Sequence, residues 1–267
     1  MNDPPKTALI TGASSGIGRE LAIWFAKRGV TVYAAARRTS LLEELAAAGH
    51  GKIIPLALDV TREAATVAAI QSLDEECGGL DLVMANAGVG DVTPAHNSSW
   101  EMVERVLRVN VMGAAATLTA VLPRMVKRNR GWLAGTSSLA SWRGLGAYSC
   151  YSASKAFLST FLQSLRIDLQ GTNVSVTCIE PGFVQTAMSD KLAEVTPMPF
   201  KINADRAAHK IGTAILGRKR VLSFPWVQAA GFRAMTMIPA PIFDPIAKRA
   251  SRSQVAMLES TLAKELK

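Results

Sequence analysis

Three side chains of this chain could together move a proton to or from an oxygen: a phenol, an ammonium and a hydroxyl. Tyr151 and Lys155 sit four positions apart in the run Tyr151-Ser152-Ala153-Ser154-Lys155, and Ser138 lies thirteen positions upstream. Residues four apart share a helix face, so the Lys155 ammonium would stand beside the Tyr151 ring. A free tyrosine titrates near ~10 and is a poor base at neutral pH, while a neighbouring cation favours its phenolate. A hydroxyl such as Ser138 can hold a carbonyl or alcohol oxygen against that phenol. The same spacing also occurs by chance on surface helices, so the rest of the chain must supply the context. Tyr148 has Ser152, not lysine, four residues on; it is expected to line a substrate pocket and not to donate the proton.

The second constellation is at the N-terminal end. Thr7-Ala8-Leu9-Ile10-Thr11 is a short β-favouring run, followed at once by Gly12-Ala13-Ser14-Ser15-Gly16-Ile17-Gly18. Beyond it, Leu21, Ile23, Trp24 and Phe25 carry helical apolar spacing between Glu20 and Arg28. Strand, glycine turn and helix is the context of a dinucleotide-binding turn. The glycines permit close backbone approach to a pyrophosphate, which sits on the helix N-terminus. The spacing is G-x-x-x-G-x-G, not the commoner G-x-G-x-x-G.

These groups need a frame, and the chain alternates strands and helices. Strands are expected at Val30–Ala35, Lys52–Leu58, Leu80–Ala85, Trp132–Ser137, Val174–Ile179 and Val221–Phe224, besides the first at Thr7–Thr11. Helices are expected after Leu41, from Thr61 (as a cap) to Cys77, over Trp100–Arg128, over Ser149–Leu169 and over Ala204–Leu216. Alternation of this kind predicts a doubly wound, Rossmann-type α/β fold: one parallel sheet of about seven strands covered on both faces. Ligands of such sheets bind beyond the carboxyl ends of the strands, where every motif above falls. No linker or repeat interrupts the 267 residues, so a single domain is expected, with an apolar C-terminal extension from about residue 225.

Composition narrows the function. With 49% hydrophobic residues the chain has a core to bury, which excludes a disordered protein. The formal charge of +9 is scattered over Arg37-Arg38, Lys127-Arg128-Asn129-Arg130, Arg218-Lys219-Arg220 and Lys248-Arg249. Without interleaved aromatics this reads as solvated surface and not as a nucleic-acid site. Cys77, Cys150 and Cys178 are widely spaced, and His50, His96 and His209 are isolated, so no metal site is expected. The low cysteine count and the polar Met1–Lys6 segment suit a reducing, cytoplasmic setting with no signal peptide.

Thr11-Gly12-x-x-x-Gly16-x-Gly18, Asn86-Ala87-Gly88, Asn110, Ser138, Tyr151-x-x-x-Lys155 and Pro181-Gly182 occur in one order along the chain. The pattern resembles the short-chain dehydrogenase/reductase family by motif from about Thr7 to Thr186, and more weakly to Phe224. The resemblance implies a nicotinamide dinucleotide and reversible hydride transfer between a carbonyl and an alcohol. It implies dimers or tetramers built on the two long central helices. It assigns the pyrophosphate turn to Gly12, Gly16 and Gly18, with Ser14, Ser15 and Ile17 nearby. Asp59 and Val60 would hold the adenine, and Asn86, Ala87 and Gly88 would support the central strand and line the ribose. Lys155 would hold the nicotinamide ribose and lower the pKa of Tyr151, the proton donor in reduction. Ser138 would polarise the substrate oxygen. Asn110 would disturb its helix and complete a proton relay. Pro181, Gly182, Val184 and Thr186 would fix the nicotinamide.

Charge argues for the choice of cofactor. An acid at the end of the second strand would repel a 2′-phosphate, but here the strand ends Ala34-Ala35-Ala36 and is followed by Arg37-Arg38. NADP(H) is therefore favoured over NAD(H). The segment Gln185–Phe200 is expected to lie over the substrate. Met188, Leu192, Met198 and Phe200 make it apolar, and Pro197 and Pro199 stiffen it, which suits a lipophilic carbonyl or alcohol. The apolar stretch from Phe224 to Phe243 is interrupted by prolines and Arg233. An oligomer interface or a pocket wall is favoured for it over an interfacial membrane anchor. The alternative to an enzyme is a dinucleotide-binding redox sensor or scaffold, which has no need of a proton donor.

Overall fold

The computed structural model describes residues 3–48, 51–90, 92, 94–186, 189 and 198–265. Its strands are β1 (Thr7–Thr11), β2 (Thr31–Ala36), β3 (Ile53–Ala57), β4 (Leu82–Ala85), β5 (Gly131–Thr136), β6 (Val174–Pro181), β7 (Val184–Gln185), β8 (Ile202–Asn203) and β9 (Val221–Phe224). Seven of them form one parallel sheet in the order β3-β2-β1-β4-β5-β6-β9, while β7 and β8 pair separately. The order reverses between β1 and β4, the point at which a doubly wound sheet opens a crevice for a ligand.

Burial on both faces explains why these strands are apolar runs and not alternating ones. Successive residues supply opposite cores. In β1, Ala8 and Ile10 enter one cluster and Leu9 the other; in β4, Leu82 and Met84 face one way, Val83 and Ala85 the other. The first core is closed by α1 (Gly16–Ala26), α2 (Thr39–Ala47) and, later in the chain, a helix over Ala204–Leu216. The second is closed by α3 (Glu63–Glu76), by helical turns from Trp100 to Lys127 and by α7 (Ser149–Asp168). Each large aliphatic side chain removed from water in this way contributes roughly 1.5–3 kcal/mol.

The predicted helix over 100–128 is broken. It consists of α4 (Trp100–Leu107), a π-helical turn over Arg108–Gly113, α5 (Ala114–Thr119) and α6 (Leu122–Lys127). Two local causes coincide at the π turn. Asn110 turns its side chain to the backbone of Val89, and Gly113 packs so close to Val60 that a Cβ there would lie 2.8 Å from the Val60 carbonyl oxygen. A proline in the first turn of α6 marks the second break. The run is long and apolar enough to cross a membrane, but 56% of its most apolar window is buried inside the fold.

Two other expectations shift. Thr61 does not cap α3: its hydroxyl donates to the Asp59 carboxylate over 2.8 Å, and the helix starts at Glu63. Strand β6 continues past Ile179 because Glu180 and Pro181 stay in register with Ser223 and Phe224 of β9. After α8 (Ala204–Leu216), the apolar C-terminal stretch folds as α9 (Trp226–Met237) and α10 (Ala240–Glu265). Part of the basic charge is consumed in ion pairs: Arg128 with the buried Asp74 at 3.0 Å, and Arg130 with Asp81 at 2.9 Å.

Candidate active site

The glycine turn between β1 and α1 is shaped by two left-handed residues, Gly12 at φ 68° and Gly16 at φ 58°. Crowding adds to the conformational demand. A Cβ on Gly12 would lie 2.8 Å from Ala87 Cα, and one on Gly18 would lie 2.5 Å from both the Gly12 oxygen and Asn86 Nδ2. On Gly16 it would touch Thr186 Cγ2 at 3.0 Å, so the turn abuts the segment that follows β7. Ile17 is partly buried just inside α1. The result is a concave backbone at a helix N-terminus, the form that receives a pyrophosphate.

Arg38 leans over this turn. Its Nη2 donates to Ser14 Oγ and to Ser15 Oγ, each at 2.8 Å, and its Nε reaches Ser14 Oγ at 3.2 Å. Arg37 is exposed at the same strand end. A guanidinium and two hydroxyls gathered beside the turn, with no acid at the end of β2, fit a phosphate on the adenosine ribose. At the end of β3, Asp59 turns its carboxylate to the Thr61 amide and hydroxyl, and Val60 is buried against Gly113.

Asn86 ties the centre of the sheet together. Its Nδ2 donates to the Thr11 carbonyl at 3.0 Å, and its Oδ1 accepts from Thr136 Oγ1 at 3.0 Å. Thr11 Oγ1 receives the amides of Asn86 and Ala87. Three strand ends, β1, β4 and β5, are thereby held in one register. Thr11 and Thr136 are supporting residues that the sequence did not single out as site residues. Threonine is ordinary in strands, and only the cross-strand contact reveals the role.

Tyr151 lies in the first turn of α7 and Lys155 one turn later; Tyr148 occupies the N-cap position. Lys155 Nζ stands 5.7 Å from the Tyr151 ring centroid and donates to the Thr136 carbonyl at 2.7 Å. Ser138 lies close enough to Tyr151 to lower the pKa of the phenol, and its Oγ lies 3.4 Å from the Pro181 oxygen. The three side chains singled out from spacing are thus brought together at the ends of β5 and β6.

The electrostatics differ from the sequence expectation. Burial raises the Tyr151 pKa above 10.0; Ser138 opposes this, and Tyr148 adds to it. The Lys155 ammonium, expected to lower Tyr151, is not the counterweight. It is itself buried and docked on Thr136, and burial depresses its pKa to about 8. Cys178 behind it is pushed up to about 12 by burial and by Glu180, so that thiol stays protonated.

Asn110 sits in the π turn, 1% exposed. It accepts from the Val89 amide and donates to the Val89 carbonyl, both at 2.9 Å, and donates to Ser154 Oγ at 3.0 Å. It has no direct bond to Lys155. Gly88 lies between them: a Cβ there would be 3.3 Å from Lys155 Nζ and 3.5 Å from Asn110 Oδ1. Val184 is buried in β7, and Thr186 exchanges hydrogen bonds with Ser189. Met188, Leu192 and Pro197, expected over the substrate, lie outside the described residues, as does His50. Among the described residues no three His, Cys, Asp or Glu side chains gather as a metal site.

Comparison with known proteins agrees with this geometry. The family model of short chain dehydrogenases matches residues 6–196. An uncharacterized oxidoreductase of Myxococcus xanthus is 51% identical over 247 residues, covering 91% of this chain and 97% of that protein. A short-chain dehydrogenase from Sphingobium yanoikuyae, solved with NADPH, superposes with a TM-score of 0.76 at 27% identity, over 87% of this chain and 96% of that one. A relative from Burkholderia phymatum, solved with NAD, gives 0.77 at 28% identity, over 85% and 92%. The Tyr151–Lys155 helix, the glycine turn and the parallel sheet therefore have one common explanation: the chain belongs to the short-chain dehydrogenase family of oxidoreductases.

Proposed function

We propose that the chain is an NADP(H)-dependent oxidoreductase that interconverts a carbonyl and a secondary alcohol, with Tyr151 as proton donor and acceptor. The observation that carries the reading is the convergence of Ser138, Tyr151 and Lys155 at two adjacent strand ends. When bound, the nicotinamide supplies or accepts the hydride. In reduction, the Tyr151 hydroxyl gives its proton to the substrate oxygen; in oxidation the phenolate removes it. Ser138 donates a hydrogen bond to the same oxygen and holds it in line. Lys155 is anchored on Thr136 and would hold the nicotinamide ribose through its remaining donors.

Arg38 supports NADP(H) over NAD(H). Solved relatives of similar identity carry NADPH in one case and NAD in another, so likeness alone does not choose. The guanidinium over Ser14 and Ser15 supports NADP(H), because a 2′-phosphate there would meet a fixed cation.

A lipophilic substrate fits the surroundings. A cavity of about 670 Å3 lies between Pro94–His96, Gly144–Ala147 and α10, with Phe243 and Val255 among its apolar walls. It adjoins the loop that leads into Tyr148 and is not itself lined by Ser138 or Tyr151. Exposed Trp100, Met112 and Phe157, on α4, the π turn and α7, supply apolar surface for a homodimer or homotetramer. A reducing, cytoplasmic setting suits three free thiols. The test is a panel of ketones and aldehydes with NADPH, followed by absorbance. Consumption that Tyr151→Phe abolishes supports the enzyme; binding of NADPH with no turnover of any carbonyl or alcohol would favour the sensor instead.

A further inference from the structure

Helix α9 has one buried residue, and it is a glutamine, Gln228, 8% exposed. A buried amide is costly unless both ends are bonded, and both are. Its Oε1 accepts from the Phe183 amide at 2.8 Å, and its Nε2 donates to the Pro199 carbonyl at 2.6 Å. An amide hydrogen on one side and a carbonyl on the other admit only this orientation of the side chain.

The contact falls on the backbone assigned to the nicotinamide. Gly182 donates to the Phe224 carbonyl at 2.7 Å, and Ile202 donates to the Phe183 carbonyl at 3.1 Å. Ser138 Oγ lies 3.4 Å from the Pro181 oxygen. Gly182 is not left-handed, yet a Cβ on it would collide with Gln228 Oε1. Glycine is therefore required here by the proximity of the glutamine and not by φ. The far end of α9 is tied to the same neighbourhood, because Arg143, just beyond the Ser138 turn, donates to the carbonyls of Met235 and Ile238.

We propose that Gln228 is a positioning residue of the active site: it sets the Pro181–Phe183 backbone against Ser138 and registers it to the returning chain at Pro199. The apolar C-terminal helices then belong to the catalytic unit as a wall of the nicotinamide site. The inference rests on the dinucleotide reading above, and its first test needs no dinucleotide.

Amide exchange of the protein alone reads the Phe183 hydrogen directly. In Gln228→Ala its protection should fall by about tenfold or more while residues 174–179 of β6 keep theirs. Gln228→Glu retains the acceptor for Phe183 while setting a carboxylate oxygen against the Pro199 carbonyl, so protection at Phe183 should fall less than in the alanine variant. With NADPH, the alanine variant should bind about tenfold more weakly and turn over more slowly, with the glutamate variant between it and the wild type. The double variant completes the test. Gly182→Ala should cost at least about tenfold in turnover, and adding Gln228→Ala should recover part of it, because removal of the amide opens room for the Cβ. Unchanged Phe183 protection and NADPH affinity in Gln228→Ala would overturn the proposal, as would losses in a Gly182→Ala, Gln228→Ala pair that simply multiply. So would equal defects in the alanine and glutamate variants that only follow a lowered melting temperature. Failure of the wild type to bind NADPH would sink the proposed function instead, and leaves the exchange result to decide the role of Gln228.

Discussion

Lys155 and Thr136 are joined by a 2.7 Å hydrogen bond from the ammonium to a strand-end carbonyl, and this bond places the cation beside Tyr151 while taking it out of water. The site therefore holds a charge that its own burial disfavours.

The consequence for stability has a definite sign. The folded pKa of Lys155 is depressed from 10.5 to about 8, so between those values the unfolded chain binds more protons than the folded one. Stability contributed by this group consequently rises with pH across that window and is lowest below pH ~8. Lys155→Met should be the more stable protein at pH 7, and its advantage should shrink by up to about 3 kcal/mol as pH rises toward 10.5. Denaturant melts of both proteins across the window check this; a constant difference would contradict it.

Tyr151→Phe removes the transferable proton and leaves the ring. Turnover should fall by about two to four orders of magnitude. NADPH binding, followed by fluorescence, should stay within about threefold of the wild type, since the phenol is not a phosphate contact. In the wild type, burial holds Tyr151 protonated. Alcohol oxidation should therefore accelerate as pH rises through the neutral range, while carbonyl reduction stays flat there.

Arg38→Leu should separate the two cofactors. Losing the charge-assisted contact should weaken NADPH by about ten- to hundredfold and leave NADH little changed. The ratio of kcat/KM values with the two cofactors reads it directly. An equal loss for both would assign Arg38 to the turn itself through Ser14 and Ser15.

Asn110→Leu tests the π turn. The substitution leaves the amide and carbonyl of Val89 without their partner, and a buried unsatisfied group costs about 1–3 kcal/mol. Both melting temperature and turnover should fall. Preserved stability with lost turnover would instead confine the role of Asn110 to proton transfer.

Much of the frame was legible because parallel strands write themselves as apolar runs. The first strand, Thr7–Thr11, the seventh sheet strand, Val221–Phe224, and the helix Ala204–Leu216 were found at their true bounds. The helix over 100–128 was misread because apolar periodicity does not register one extra residue in a turn. That insertion depends on Val89 and Val60, which are distant in sequence. Gln228 was missed because an isolated glutamine in an apolar stretch carries no pattern.

The chain alone determined the glycine turn, the Tyr151–Lys155 spacing and the order of strands and helices, because these are local: they depend on φ, on i to i+4 geometry and on runs of apolar residues. The tertiary structure decided which way charge moves at the site. Burial is a property of the whole fold, and it sets Tyr151 high and Lys155 low against the simple expectation from their spacing. It also decided that a glutamine from the last third of the chain would meet Phe183, because no local rule brings α9 to the end of β6.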